Sequence, residues 1–200
     1  MKHSNMRTET GGYESGSPLW IVVIGLALTG LAVVLFTAPL TVLLGESRYA
    51  LEGALHGVAA GLFMITATIG LFQAYRLLTG SIQHVAQLEF GGVVNAFLAF
   101  LTIFFGNRIY IFYRAPQGPR SYFMENRPEI HKIFFEFKEF AALFTLPLAV
   151  AAAFLFLVYR EQLLRSRGLR SLAALLLALT FFYFLVAFGL GAAITKLKGL

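Results

Sequence analysis

Long uncharged runs separated by short polar breaks set the pattern of this chain. The run from Phe140 to Tyr159 has no charge over twenty residues. At about 1.5 Å rise per residue, a helix of that length matches the roughly 30 Å hydrocarbon core of a bilayer. Its approach is the opposite: Glu129, His131, Lys132, Glu136, Lys138 and Glu139 crowd the entrance. Four further runs have the same character. The pattern predicts spans over residues 18–44, 49–78, 84–114, 129–160 and 171–195, after a flexible polar tail over residues 1–17. The expected fold is all-α: a polytopic integral membrane protein, five transmembrane helices in a bundle, forming one domain over residues 18–200.

The breaks carry the expected punctuation. Residues 18–44 form a run about twice the length of a 7–15 residue signal-peptide core, with no small-residue cleavage site after it, so they read as a span. Pro39 is expected to kink it. Gly45-Glu46-Ser47-Arg48 leads into the second span, whose first turns place Gly53, Gly57 and Gly61 on one helix stripe. Missing side chains at that spacing predict a seam where a neighbouring backbone comes close. The third span starts among His84, Gln87 and Glu89, holds Asn95 in its middle and ends at Asn107, Arg108, Tyr110, Tyr113 and Arg114. Asn95 is expected to bond a neighbouring helix, and Tyr110, Tyr113 and Tyr122 to form an interfacial aromatic belt. Residues 115–128 are the longest break, with Pro128 suited to the first turn of the next helix.

Composition agrees with lipid as the solvent. Hydrophobic residues make up 58% of the chain and charged residues 13%, against roughly 45–50% and 25% in soluble domains. A formal charge of +6 would suggest nucleic acid in a soluble protein. Here the basic residues sit between apolar runs, where they meet headgroups, so no nucleic-acid partner is expected. The expected partners are the bilayer, other membrane subunits or further copies of the chain. An odd number of spans puts the tail and the C-terminus on opposite faces. Lysine and arginine are balanced between those faces, so the charge rule leaves orientation open, and which membrane is not encoded. The chain has no cysteine, which excludes disulfides, thiolate metal sites and cysteine nucleophiles. It has no P-loop, Gly-x-Ser-x-Gly, Rossmann or zincin motif, so the reading leans away from an enzyme.

The candidate chemistry is a polar cluster. Spans two and four begin, and span three ends, on the face of the C-terminus. Glu52, His56, Asn107, Arg108, Glu136, Lys138 and Glu139 therefore fall near one depth. Charges close to hydrocarbon are costly, so these groups are expected to neutralise one another. The bland account is a network that fixes helix docking. The functional account is a site for a proton, an ion or a small molecule, in a non-enzymatic membrane subunit or carrier. No metal is expected: Glu-x-x-His and His-x-x-x-His are both missing, and Lys138 and Arg108 would repel a cation.

In span number and length alone the chain resembles the membrane-anchor cytochrome b subunits of succinate dehydrogenases. That resemblance implies an alternative, a redox anchor binding haem b or quinone. His56 would be the first ligand candidate and His131 the second. Bis-histidine ligation needs two histidines at equal depth. His131 lies nine residues before Phe140, about 13 Å outside the apolar run in a straight helix at about 1.5 Å per residue. His84 belongs to the other face.

Overall fold

The computed structural model describes residues 23–32, 35, 48–82 and 84–198. Among these there is no strand. A short apolar helix, α1 (Val23–Ala32), comes first. It is followed by α2 (Arg48–Thr79), α3 (Val85–Tyr113), α4 (Pro119–Asn126), a π turn (Ile130–Phe135), α5 (Glu136–Val158), α6 (Arg160–Arg165) and α7 (Arg167–Lys198). Four helices are long and apolar enough to cross a membrane, with mean hydropathies of 1.8 to 2.5: Tyr49–Thr79, Val85–Tyr113, Ile130–Val158 and Arg167–Leu197. They coincide with the second to fifth expected spans. The first, over residues 18–44, lies mostly outside the described residues; of it, α1 places Gly30 over the Phe97 ring of α3. Residues 1–17, Pro39 and the break at Gly45 lie outside them too.

Local chemistry ends each helix. α2 stops at Gly80, whose φ of +70° is open to glycine and strained for other residues. The amide of Ser81 donates to the Arg76 carbonyl and that of Gly80 to the Leu77 carbonyl, a Schellman pairing. α3 ends into Pro116, Gly118 and Pro119. A Cβ at Gly118 would collide with the carbonyls of Phe112 and Tyr113, so only glycine lets the chain fold back there. Pro119 then opens α4 at its first position. The expected long break is thus partly helical, and its one fully buried side chain, Phe123, holds α4 down. Ser166 accepts the amide of Leu169 at 3.3 Å, which starts α7 four residues earlier than the apolar pattern suggested.

The long helices run alternately up and down. α2 packs on α3 and α7, and α5 packs on the same two. Gln73 of α2 donates to the Gln87 carbonyl near the start of α3. The rings of Phe63 and Phe184 meet at 4.2 Å between α2 and α7, and those of Phe144 and Tyr183 at 5.3 Å between α5 and α7. Gly92 of α3 receives Phe156 of α5. Small residues fill the interior, with Ala67, Ala99, Ala149 and Ala152 all buried. Bulky apolar residues face out: Val58, Leu62, Ile65, Ile69 and Phe72 form an exposed flank on α2. Water would not tolerate a flank of that extent, whereas lipid does.

The expected glycine seam meets no partner among the described residues. No described residue comes within 4 Å of a Cβ placed at Gly53, Gly57 or Gly61. The stripe faces away from α3 and α7, beside exposed Val58. Glycines that do allow close approach between helices lie elsewhere, among them Gly92 against Phe156, Gly106 against His56 and Gly70 against Asn95.

Candidate functional site

The end of the assembly where α2 and α5 begin and α3 and α7 finish carries most of the buried polar chemistry. Glu52 lies in the second turn of α2 with 0% exposure. Arg108, in the last turns of α3, reaches it with its Nε 2.6 Å from Oε1, its side chain remaining 28% exposed. A carboxylate this deep needs a cation, and the antiparallel pairing of α2 with α3 supplies one. One turn deeper, the Nδ1–H of His56 donates to the Thr102 carbonyl at 2.9 Å. That carbonyl accepts only, so the bond fixes a proton on Nδ1, and in the neutral ring Nε2 is then a lone pair.

The head of α5 contributes Lys138 and Glu139, both half-buried. Lys138 turns inward, its ammonium 4.5 Å from the centre of the Phe135 ring and its stem beside Gly191 of α7. It also acts electrostatically on His56. Glu139 interacts electrostatically with Lys138 and accepts a hydrogen bond from the Tyr110 hydroxyl of α3. Glu136 and Asn107 are exposed to the surroundings and take no part in the interior. The structure thus brings Glu52, Arg108, His56 and Lys138 to one end of the interior, sets Glu139 on its flank, and leaves two of the expected members outside.

A second network covers that end. The π turn buries both His131 and Phe135. Arg120 of α4 donates its Nε–H to His131 Nε2 at 3.1 Å. The ring must then carry its proton on Nδ1, which lies 3.0 Å from the Tyr113 hydroxyl. Tyr113 stacks on Phe135 at 4.1 Å with an interplanar angle of 2°, and Tyr110 lies 5.9 Å from the same ring. Arg114 caps Tyr110 at 5.3 Å. Tyr113 is buried and Tyr110 half-buried, so of the expected tyrosine belt only Tyr122 is an exposed ring. Aromatic stacking inside the fold took the other two. His131 is 4% exposed, and both its ring nitrogens are engaged within the protein, so it offers no lone pair to a haem iron.

At the opposite end, Glu89 of α3 and Arg160 of α6 form a pair that the sequence pattern does not announce. Glu89 is 3% exposed, and Arg160 Nε stands 3.5 Å from its Oε1. Their separation along the chain hides the pairing; the only clue is a carboxylate at the start of one span and an arginine at the end of another. Asn95 is buried beside Gly70 and Leu177, and its Oδ1 has no bonding partner among the described residues. The expected helix-to-helix bond of Asn95 is therefore not formed by that oxygen. No grouping of three or more histidine or acidic side chains suited to a metal ion occurs among the described residues.

The chain matches no family model, no curated protein and no solved structure. Its chemistry therefore stands on the geometry above.

Proposed function

We propose that this chain is a non-enzymatic polytopic membrane protein, a small subunit or carrier, built as a five-span bundle with the segment to residue 44 as the first span. Its polar site at the C-terminal end takes up a proton, an ion or a small polar solute. One observation carries the reading. Inside the Glu52–Arg108 pair, of which the carboxylate is fully buried, sits a histidine whose Nδ1–H is committed to a backbone carbonyl and whose Nε2, in the neutral ring, is left as an acceptor. A network built only for docking has no need of an acceptor at that depth, and ionisable groups within membrane helices are functional candidates by default.

Reconstitution of the full chain into liposomes loaded with a pH-sensitive dye tests this. Wild-type protein should discharge an imposed pH gradient faster than empty liposomes do. His56→Ala should lose the discharge while melting within a few degrees of wild type. Discharge equal to that of empty liposomes, or unaltered by His56→Ala, refutes the reading. Reporter fusions at residues 5 and 200 should lie on opposite sides of the membrane. The alternative, a redox anchor for haem b or quinone, is favoured by the same Nε2 lone pair, a single position for an iron. A Soret band in the purified protein would put that alternative first.

A further inference from the structure

α4 is held at the head of the bundle by two attachments. One is the Phe123 ring, fully buried in a cluster with Tyr113, Phe135 and Ile194. The other is the bond from the Arg120 Nε–H to His131 Nε2, 3.1 Å long. The helix packs against the π turn. Gly118 and Pro119 bound it on one side, Arg127 and Pro128 on the other, so no long helix runs through it. Tyr122, Glu125 and Asn126 face outward and are exposed. A helix of eight residues has little stability of its own, so these two attachments decide whether it stays down.

The second attachment exists in one protonation state only. An arginine side chain can only donate, and a histidine nitrogen accepts only while it carries a lone pair. Nδ1 of His131 already carries a proton, directed at the Tyr113 hydroxyl at 3.0 Å. A second proton must therefore go to Nε2. There it would stand N–H against N–H with Arg120, one cation against another. We propose that this bond is a proton-operated latch, which holds α4 on the π turn while His131 is neutral and releases it when Nε2 takes a proton. The ring is 4% exposed, so the proton arrives by way of the open state. His131 stands nine residues ahead of the apolar run at Phe140, outside the hydrocarbon, where water reaches a lifted α4. A brief opening bares Nε2, a proton from water forms an N–H bond there, and the new N–H blocks reclosure.

Charges act on the ring from each neighbouring element. α3 brings Arg114 beside the Tyr113 hydroxyl, α4 brings Arg120, the π turn Lys132 and the head of α5 Glu136. α7 presents the apolar Ile194 there. Arg114, Lys132 and Glu136 are all exposed and screened by water, which leaves Arg120, at bonding distance, as the deciding charge. The closed state needs the lone pair on Nε2, whereas the open state binds a proton there as an ordinary imidazole does, near about pH 6.5. Closure is therefore complete above about pH 7 and weakens as pH falls below about 6.5, by up to about tenfold per pH unit. The latch does not depend on what the polar site beneath it takes up.

Hydrogen–deuterium exchange of the full-length protein in detergent tests this. Exchange is read on the α4 peptide at a series of pH values, and each rate is divided by that of the unstructured peptide at the same pH to give a protection factor. Wild-type α4 should keep its protection from about pH 8 to about pH 7 and lose it by up to about tenfold per unit below about pH 6.5, while α2 and α7 keep theirs. His131→Gln retains an acceptor for Arg120 but cannot titrate, so its α4 protection should be flat across the range. Arg120→Met removes both the donor and the opposing cation. Its protection at about pH 8 should fall by about tenfold to a hundredfold, the range for a lost hydrogen bond to a charged group, and its dependence on pH should flatten. Wild-type protection that stays flat down to about pH 5 overturns the latch. So does a fall that persists in His131→Gln, or one that strikes α2 and α7 equally, which is acid unfolding of the whole bundle. Arg120→Met with the wild-type slope overturns it too, and that arm decides the matter where His131→Gln does not fold.

Discussion

Gly57 and Gly92 are both helical glycines, and the structure assigns them opposite fates on substitution by alanine. A glycine inside a helix costs roughly 0.5–1 kcal/mol relative to alanine, through the extra freedom it has when unfolded. At Gly57 nothing described lies within 4 Å of the new methyl group, so Gly57→Ala should collect that whole gain. At Gly92 the methyl group would stand 2.8 Å from Phe156 Cδ2 and 3.2 Å from the Ala153 Cα. Phe156 is 0% exposed and locked among Leu77, Leu88 and Leu177, and Ala153 meets the methyl with backbone. Neither can yield by a side-chain rotation alone. Overpacking of this kind costs about 1–3 kcal/mol, which outweighs the propensity gain and leaves a net loss of about 0.5–2 kcal/mol. For a chain of this length that is a fall of about 1–8 °C in melting temperature, against a rise of about 1–4 °C for Gly57→Ala. Thermal melting of the two variants in one detergent gives both signs. A Gly92→Ala protein that melts at or above wild type refutes the packing described for α3 and α5. A Gly57→Ala protein that melts several degrees lower would restore the glycine seam, against a surface other than α3 and α7.

Two further outcomes follow from the polar groups. Arg108→Met should cost toward the lower end of about 3–5 kcal/mol, since it strands the buried carboxylate of Glu52 while Arg108 itself is partly exposed; joining it to Glu52→Leu should recover most of the loss in a melting double-mutant cycle, and additive losses would remove the ion pair from the account. Tyr113→Phe should cost about 1–3 kcal/mol by leaving His131 Nδ1–H without an acceptor in a buried place, and a melting temperature unchanged from wild type would contradict the proton assignment.

The fold class and four of the helices were legible because hydrocarbon imposes one simple demand, a long run without charge. The run over residues 49–78 became Arg48–Thr79, and that over residues 84–114 became Val85–Tyr113. The depth argument for Glu52 and Arg108 rested on the same periodicity and led to a pair in contact. Illegible were features that depend on which way a helix is turned. Gly53, Gly57 and Gly61 make one stripe whether they face a neighbour or lipid, and only the positions of α3 and α7 tell these apart. Tyr113 reads as an interfacial ring because it lies at the end of an apolar span beside Arg114; in space it lies against Phe135, which the chain returns to it after α4. Glu89 and Arg160 come together only because α3 and α5 are antiparallel partners.

The π turn at Ile130–Phe135 makes chain length itself a setting. It closes its bonds over five residues where an α-helix uses four, so it holds one residue more than a regular helix of the same rise. Loss of a single residue there would let regular helix run from Pro128 into α5. Everything upstream would then turn by about 100° against the span, the angle of one residue on an α-helix. His131 would leave Tyr113, and α4 with Arg120 would be carried around the mouth of the site. Lys138, Glu139 and the apolar length behind them would keep their places. The head of this protein is thus indexed separately from its membrane-crossing part: a one-residue change can swing the cover over the polar site without repacking a single turn of the helices beneath it.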